Sequence, residues 1–324
     1  MKTRKLGRNG PEVSEVGFGA WAIGGGWGAQ SDEDSLAALH RALDAGVTLI
    51  DTAAGYGDGR SERLIGQILK ERQQTVTVAT KTPPSDGEWP PSPYCRAEDR
   101  YSEDYLRANL EERMKNLGTD RIDVLQLHTW TRAWNRDPKP LKVLRRLQDE
   151  GLIGQIGIST PEHDQNCAVQ LMRDGWVDVV QVIYNIFEQE PAAELLEVAA
   201  LTGTGIIVRV PFDEGALTGK FNSETVFAEG DFRGGYFGGD RLERAVQRAE
   251  AIRGDLEGSG LTMAQAALQF ILAHPAVSAV IPGMRNPAQA VMNTAVSDLP
   301  DMSPERVKRL HRHNWRRSIW YGGK

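Results

Sequence analysis

The feature that most constrains this chain is an alternation. Between residues 16 and 281, short apolar runs rich in β-branched residues recur, with helical segments between most of them. The runs lie at 16–20, 47–51, 76–81, 122–127, 153–158, 177–182, 206–210 and 278–281. A run that is apolar on both faces reads as a strand covered from both sides, and strands joined through helices pair in parallel. Eight such units predict a closed (β/α)8 TIM barrel, an α/β fold, over an open doubly wound sheet. No G-x-G-x-x-G follows an early strand, which also weakens a Rossmann arrangement. The 324 residues fit one barrel domain over 1–324, because such barrels routinely exceed roughly 200 residues as single units.

Local signals place the helices. Ser31 caps one in which Leu36, Leu39 and Leu43 recur at helical spacing before Gly46 stops it. Others are predicted at 61–72, 102–117, 141–149, 161–173 (opened by Pro161) and 191–202. Three segments stand outside the repeat. Residues 1–15 read as an N-terminal hairpin turning at Asn9-Gly10. Residues 213–240, rich in glycine and aromatics, read as one long loop, and such loops are usually functional or mobile. From Met302 the chain adds C-terminal helical structure of basic character and a tail with Trp315, Trp320 and Tyr321.

Composition removes several functional classes. Lys+Arg 38 against Asp+Glu 44 gives a net charge of −6, which argues against a nucleic-acid partner. Cys95 and Cys167 are too few and too scattered for a disulfide scaffold or a zinc site, so a reducing, cytoplasmic setting is expected. The basic start, Met1 to Arg8, lacks the apolar stretch of a signal peptide. No window approaches the roughly 20 apolar residues of a membrane span, so no membrane partner is expected. No feature specifies an oligomeric state.

Barrel enzymes carry their sites at the C-terminal ends of the strands. The second run ends at Asp51 and breaks into a glycine-rich loop carrying Tyr56; the third ends at Lys81, and the fourth runs into His128. Singly, each has a bland explanation: a loop cap, a packed phenol, a structural ion pair, a hydrogen-bonded histidine. Converging on one mouth, they fit a specific chemistry. A free tyrosine has a pKa near 10. An ammonium beside it should lower that value, while Asp51 keeps Lys81 charged and in place. Such a phenol can give its proton to a carbonyl oxygen as that oxygen becomes an alkoxide, with neutral His128 orienting the same atom. Gly55 and Gly57 are expected to let the backbone swing the phenol into position. No side chain can supply a hydride, so a redox cofactor is required. A metal-dependent or phosphate-binding barrel is disfavoured, since only Asp51 and His128 are plausible ligands and no metal site is expected.

Asp51, Tyr56, Lys81 and His128 match, in type, order and spacing, the catalytic tetrad of the aldo-keto reductase family, which the chain resembles over almost its full length. The surrounding text matches too: Val16-Gly17-Phe18-Gly19, Asp51-Thr52-Ala53, Ser61-Glu62, Gln126-Leu127-His128, Gly157-Ile158-Ser159, Leu217-Thr218-Gly219-Lys220 and Ile281-Pro282-Gly283. The resemblance implies an NADPH- or NADH-dependent enzyme interconverting aldehydes or ketones with alcohols. It places Ser159 and Gln181 at the nicotinamide carboxamide. Arg209, Pro211, Gly215, Leu217 and Lys220 fall along the cofactor on the strand-seven side. Gly283, Met284, Arg285, Gln289 and Asn293 fall at the adenosine end. A guanidinium at 285 beside a helix start suits a 2′-phosphate better than a ribose hydroxyl, so NADPH is expected over NADH. Trp21 and Trp130, with Trp27 and Trp89 as further candidates, are expected to wall an apolar carbonyl pocket.

Two departures from the family pattern stand out. Thr160 replaces the asparagine that commonly follows the strand-five serine, with Asn185 or the Thr160 hydroxyl as candidate substitutes. Arg209 stands where an aromatic often stacks on nicotinamide, and its guanidinium face is the candidate cover. The alternative function is an NADPH-binding sensor or regulatory subunit with little turnover, as the potassium-channel β subunits of this family illustrate. The intact tetrad counts against it.

Overall fold

A computed structural model describes residues 1–315 and 317. A hairpin of β1 (Thr3–Lys5) and β2 (Glu12–Ser14) opens the chain. Eight parallel strands then pair in chain order: β3 (Phe18–Gly19), β4 (Leu49–Asp51), β5 (Thr77–Thr82), β6 (Ile122–Leu127), β7 (Ile153–Ser159), β8 (Val179–Ile183), β9 (Gly205–Arg209) and β10 (Ala279–Val280). Parallel bridges Val16↔Val280 and Gly19↔Gly283 join the first strand to the last and close the barrel. The hairpin plugs its lower end, where Leu6 and Val13 are fully buried and the Leu6 carbonyl accepts from Gln155 Nε2 at 2.9 Å.

Two apolar clusters follow from the period-two geometry of strands. Outward-facing residues such as Ile50, Val78, Leu125, Ile156 and Val180 pack under the helices. The inward set is Leu49, Ala79, Val124, Val179, Ile207 and Ala279. Two residues further along the same strands come Asp51, Lys81, Gln126, Gln181 and Arg209. The alternation that builds the apolar floor therefore lifts a polar layer directly above it, at the C-terminal mouth. Gly157 completes this layer for a steric reason: a Cβ there would stand 2.7 Å from Gln126 Cγ.

The helices depart from expectation where loop chemistry prevails. Residues 161–164 are not helical, and a 3-10 turn Gln165–Ala168 and a short helix Val169–Arg173 follow them. Gln165 is buried, its Oε1 accepting from Thr160 Oγ1 at 2.9 Å and from the Ile183 amide at 3.1 Å, which holds the segment to the strands. The 191–202 segment likewise starts as a 3-10 turn, Glu190–Ala193, before the helix Leu195–Thr202. The 213–240 loop is partly ordered into the turn Asp213–Thr218 and the helix Phe232–Tyr236. A four-residue helix, Ala97–Arg100, follows the proline-rich stretch. The basic C-terminal helix is Pro304–Leu310; Trp320 and Tyr321 lie outside the described residues. Among the described residues no helix is long and apolar enough to cross a membrane.

Candidate active site

β4, β5 and β6 deliver three of the four groups, because Asp51, Lys81 and His128 all follow the inward-facing alternation. Lys81 is fully buried, and its ammonium donates to Asp51 Oδ1 (2.5 Å), the Thr52 carbonyl (2.8 Å) and Tyr56 Oη (3.2 Å). Its three donors are thus spent on three acceptors. The other carboxylate oxygen of Asp51 accepts from Gln181 Nε2 (2.7 Å) and Gln126 Nε2 (3.2 Å). Gln126 carried no assigned role in the sequence reading; the Gln126-Leu127-His128 run marked it only as part of a motif. Behind β5, Thr80 Oγ1 donates to Glu62 (2.6 Å), and Glu62 also pairs with Arg113 (3.0 Å), tying the strand to two helices.

Tyr56 is held by close packing. A Cβ at Gly57, φ +63°, would lie 2.3 Å from the Gly24 carbonyl oxygen, and one at Gly24 would lie 2.7 Å from the Tyr56 carbonyl carbon. The expected swinging loop is therefore corrected: Gly57 and Gly24 allow two backbones to touch, which fixes the phenol. The Ser61 hydroxyl bonds Thr52 Oγ1 (2.9 Å) and the Ala20 carbonyl (3.1 Å). The rings of Tyr56 and His128 meet edge-on at 5.9 Å.

The electrostatics correct a second expectation. Burial pushes the Tyr56 phenol above its ordinary value, and the opposing pull of Lys81 does not overcome it. The phenol is a neutral proton carrier at pH 7. Burial pulls Lys81 down, but the Asp51 carboxylate and then Tyr56 outweigh it, so the ammonium stays charged. Burial first, then Lys81 and Arg209, hold His128 well below the usual histidine range, so its imidazole is neutral.

The predicted cofactor residues divide into surfaces and supports. Ser159 and Gln181 are register partners on β7 and β8, and Gln181 spends its amide N–H on Asp51 while its oxygen takes no hydrogen bond from a described residue. A hydroxyl donor beside a free carbonyl acceptor fits a nicotinamide carboxamide. The two candidate substitutes are committed elsewhere: Thr160 Oγ1 to Gln165, and Asn185 to the Val210 carbonyl and the Phe187 and Glu188 amides. Arg209 donates to the Thr160 carbonyl (3.0 Å) and Glu162 (3.1 Å). Gly283 leaves room, since a Cβ there meets nothing nearer than Ala22 at 3.9 Å. Gln289 accepts from the Arg285 amide (2.7 Å) and Asn293 donates to the Gly283 carbonyl (3.3 Å), so both brace that stretch. Arg285 itself bonds Gln30 (2.9 Å) and the Ala29 carbonyl (2.6 Å), beside the helix Pro287–Thr294 capped by Asn286. Leu217 and Met284 have no exposed surface, backbone included; Pro211 and Gly215 are buried too, and Lys220 is exposed.

The aromatic wall is only partly the one expected. Trp21 is 36% exposed and lies 6.5 Å from the Tyr56 ring. Trp130 is 1% exposed, donates its indole N–H to Asn135 (2.7 Å) and packs edge-on against Trp134. It stands behind the wall as core, and Trp89, 52% exposed and 5.4 Å from the His128 ring, takes its place. Phe232 joins from the 213–240 segment at 4.9 Å from Trp21, a contact no local signal foretold. Among the described residues no group of three His, Cys, Asp or Glu side chains could hold a metal ion.

The sequence model of the Aldo/keto reductase family matches residues 15–314. The chain belongs to the aldo/keto reductase family. Aldo-keto reductase YhdN of Bacillus subtilis (strain 168) is 30% identical over 297 residues, covering 89% of this chain and 86% of that protein. The NADH-specific methylglyoxal reductase of Escherichia coli (strain K12) is 28% identical over 315 residues, covering 92% and 94%. Among solved structures, a glycerol dehydrogenase from Gluconobacter oxydans superposes with a TM-score of 0.77 at 25% identity, covering 96% of this chain and 94% of that one. As an aldo/keto reductase the chain is an oxidoreductase, and the family works with a nicotinamide cofactor on small carbonyl compounds.

Proposed function

We propose that this aldo/keto reductase reduces aldehydes and ketones with NADPH, Tyr56 acting as general acid. The observation that carries the reading is the Asp51–Lys81–Tyr56 chain of contacts, in which a buried ion pair meets a half-buried phenol, with neutral His128 beside it. When bound, the cofactor supplies the hydride. Tyr56 holds its proton until a carbonyl oxygen accumulates negative charge, because burial makes a free phenolate costly. As the proton leaves, the Lys81 ammonium 3.2 Å away stabilises the phenolate that forms. Asp51 keeps that ammonium charged, and Gln126 and Gln181 keep Asp51 oriented. His128, being neutral, presents an N–H to the same oxygen without competing for its proton.

Arg285, beside the Asn286-capped helix start, supports NADPH over NADH, since a guanidinium and a helix N-terminus both favour a phosphate. Trp21, Trp89 and Phe232 support an apolar, aromatic-tolerant substrate.

The test is Tyr56→Phe. NADPH quenching of tryptophan fluorescence should survive, while turnover of an aromatic aldehyde should fall by about 10²–10⁴-fold. A wild type that binds no nicotinamide dinucleotide refutes the reading. Binding without reduction across a broad carbonyl panel favours a sensor.

A further inference from the structure

The turn after β9 carries Gly215 and Leu217, which the family resemblance places along the dinucleotide, yet it is held from outside the barrel repeat. Asp213 is fully buried, and both of its oxygens accept from Arg317: Nη1 to Oδ2 at 2.9 Å and Nη2 to Oδ1 at 2.6 Å. The Arg317 side chain is 1% exposed, and its guanidinium lies over Trp315 (4.8 Å) and Phe187 (5.7 Å). Trp315 donates its amide to the Phe187 carbonyl at 2.8 Å and takes Arg248 on its ring at 4.4 Å. The clamp is therefore anchored both to the segment after β8 and to the helix Arg241–Asp255.

What the clamp grips is a strained piece of backbone. Asp213, Glu214 and Gly215 have φ of +49°, +55° and +107° in succession. Side chains rarely adopt that region, and such conformations persist only where the surroundings over-determine them. A bidentate fork does so, because engaging both oxygens fixes the carboxylate plane as well as its position. A lysine would supply the charge alone.

We propose that Arg317 is a positioning residue for the dinucleotide: its fork on Asp213 holds the 213–218 turn in the shape presented to the cofactor. The inference rests on the functional reading above and extends it to a residue far from the reacting atoms in sequence. No bond is made or broken in this role.

The experiment compares full-length wild type with Arg317→Gln and Arg317→Lys. Isothermal titration with NADPH should show Kd raised at least tenfold in Arg317→Gln and by a smaller factor in Arg317→Lys, with KM for the carbonyl unchanged. Amide hydrogen exchange, measured without cofactor, should accelerate at least tenfold over residues 212–219 and stay unchanged in β6 and β7. A Kd within twofold of wild type, or exchange that rises uniformly or not at all, overturns the proposal. If Arg317→Gln does not fold, Arg317→Lys carries both readouts with the same refuting results. A wild type that binds no nicotinamide dinucleotide overturns the functional reading and with it the cofactor role of Arg317. The exchange data then decide separately whether Arg317 holds the turn.

Discussion

Lys81→Met removes the cation at the centre of the site and leaves the Asp51 carboxylate in place. The change deletes contacts to Asp51 Oδ1, the Thr52 carbonyl and Tyr56 Oη from a residue with no exposed surface. Removing one partner of a buried ion pair costs about 3–5 kcal/mol, because the other charge stays desolvated. Gln126 and Gln181 still donate to Asp51, which favours the lower half of that range. At about 2.1 cal/mol/K per residue, unfolding 324 residues carries an entropy of roughly 0.7 kcal/mol/K. The midpoint should therefore fall by about 4–6 °C in scanning calorimetry. Turnover should fall by about 10²–10⁴-fold, since the phenolate left after proton transfer loses the Lys81 ammonium beside it. Pairing the change with Asp51→Leu should restore part of the midpoint and none of the turnover, because it removes the stranded charge but leaves the Gln126 and Gln181 amides without their acceptor. A Lys81→Met protein that melts within 1 °C of wild type, or keeps more than about a tenth of its turnover, would refute the reasoning.

Two further outcomes follow from the same geometry. Because the folded-state pKa of His128 lies well below its ordinary value of about 6.5, the unfolded chain binds the proton that the folded chain refuses. Its contribution to stability is thus present above pH about 6.5 and lost as pH falls below it. Urea midpoints at pH 5 and pH 7.5 should differ more in wild type than in His128→Gln; an equal difference in both removes His128 from the account. Trp89→Ala should raise KM for an aromatic aldehyde by about tenfold, from the loss of a partly buried aromatic contact worth about 1–1.5 kcal/mol, with NADPH affinity unchanged. Trp130→Phe is the contrasting control: it should lower the melting midpoint and leave KM alone, and a KM shift there would return Trp130 to the wall.

The sequence alone determined the barrel, because strands and helices announce themselves locally. Period-two and apolar-run patterns need only neighbours a few residues away, and eight of them separated by helices admit few closed arrangements. It also singled out Asp51, Lys81 and His128 for one mouth, since each sits at the end of a legible strand. Tertiary structure decided whatever depends on contacts between distant segments. Trp130 and Trp89 are alike as letters, yet one is buried against Trp134 and the other stands over the mouth beside His128. Gly57 looked like freedom and is close contact with Gly24. Arg209 lies at the end of a legible strand, but its bonds run to the turn after β7. The sign of the Tyr56 shift turned on burial, a quantity summed over the whole neighbourhood, which no spacing encodes. Asp213 and Arg317, 104 residues apart, meet only because the segment that carries Trp315 and Arg317 folds back onto the turn after β9. Periodicity carries short-range order; desolvation and long-range pairing exist only once the chain has closed on itself.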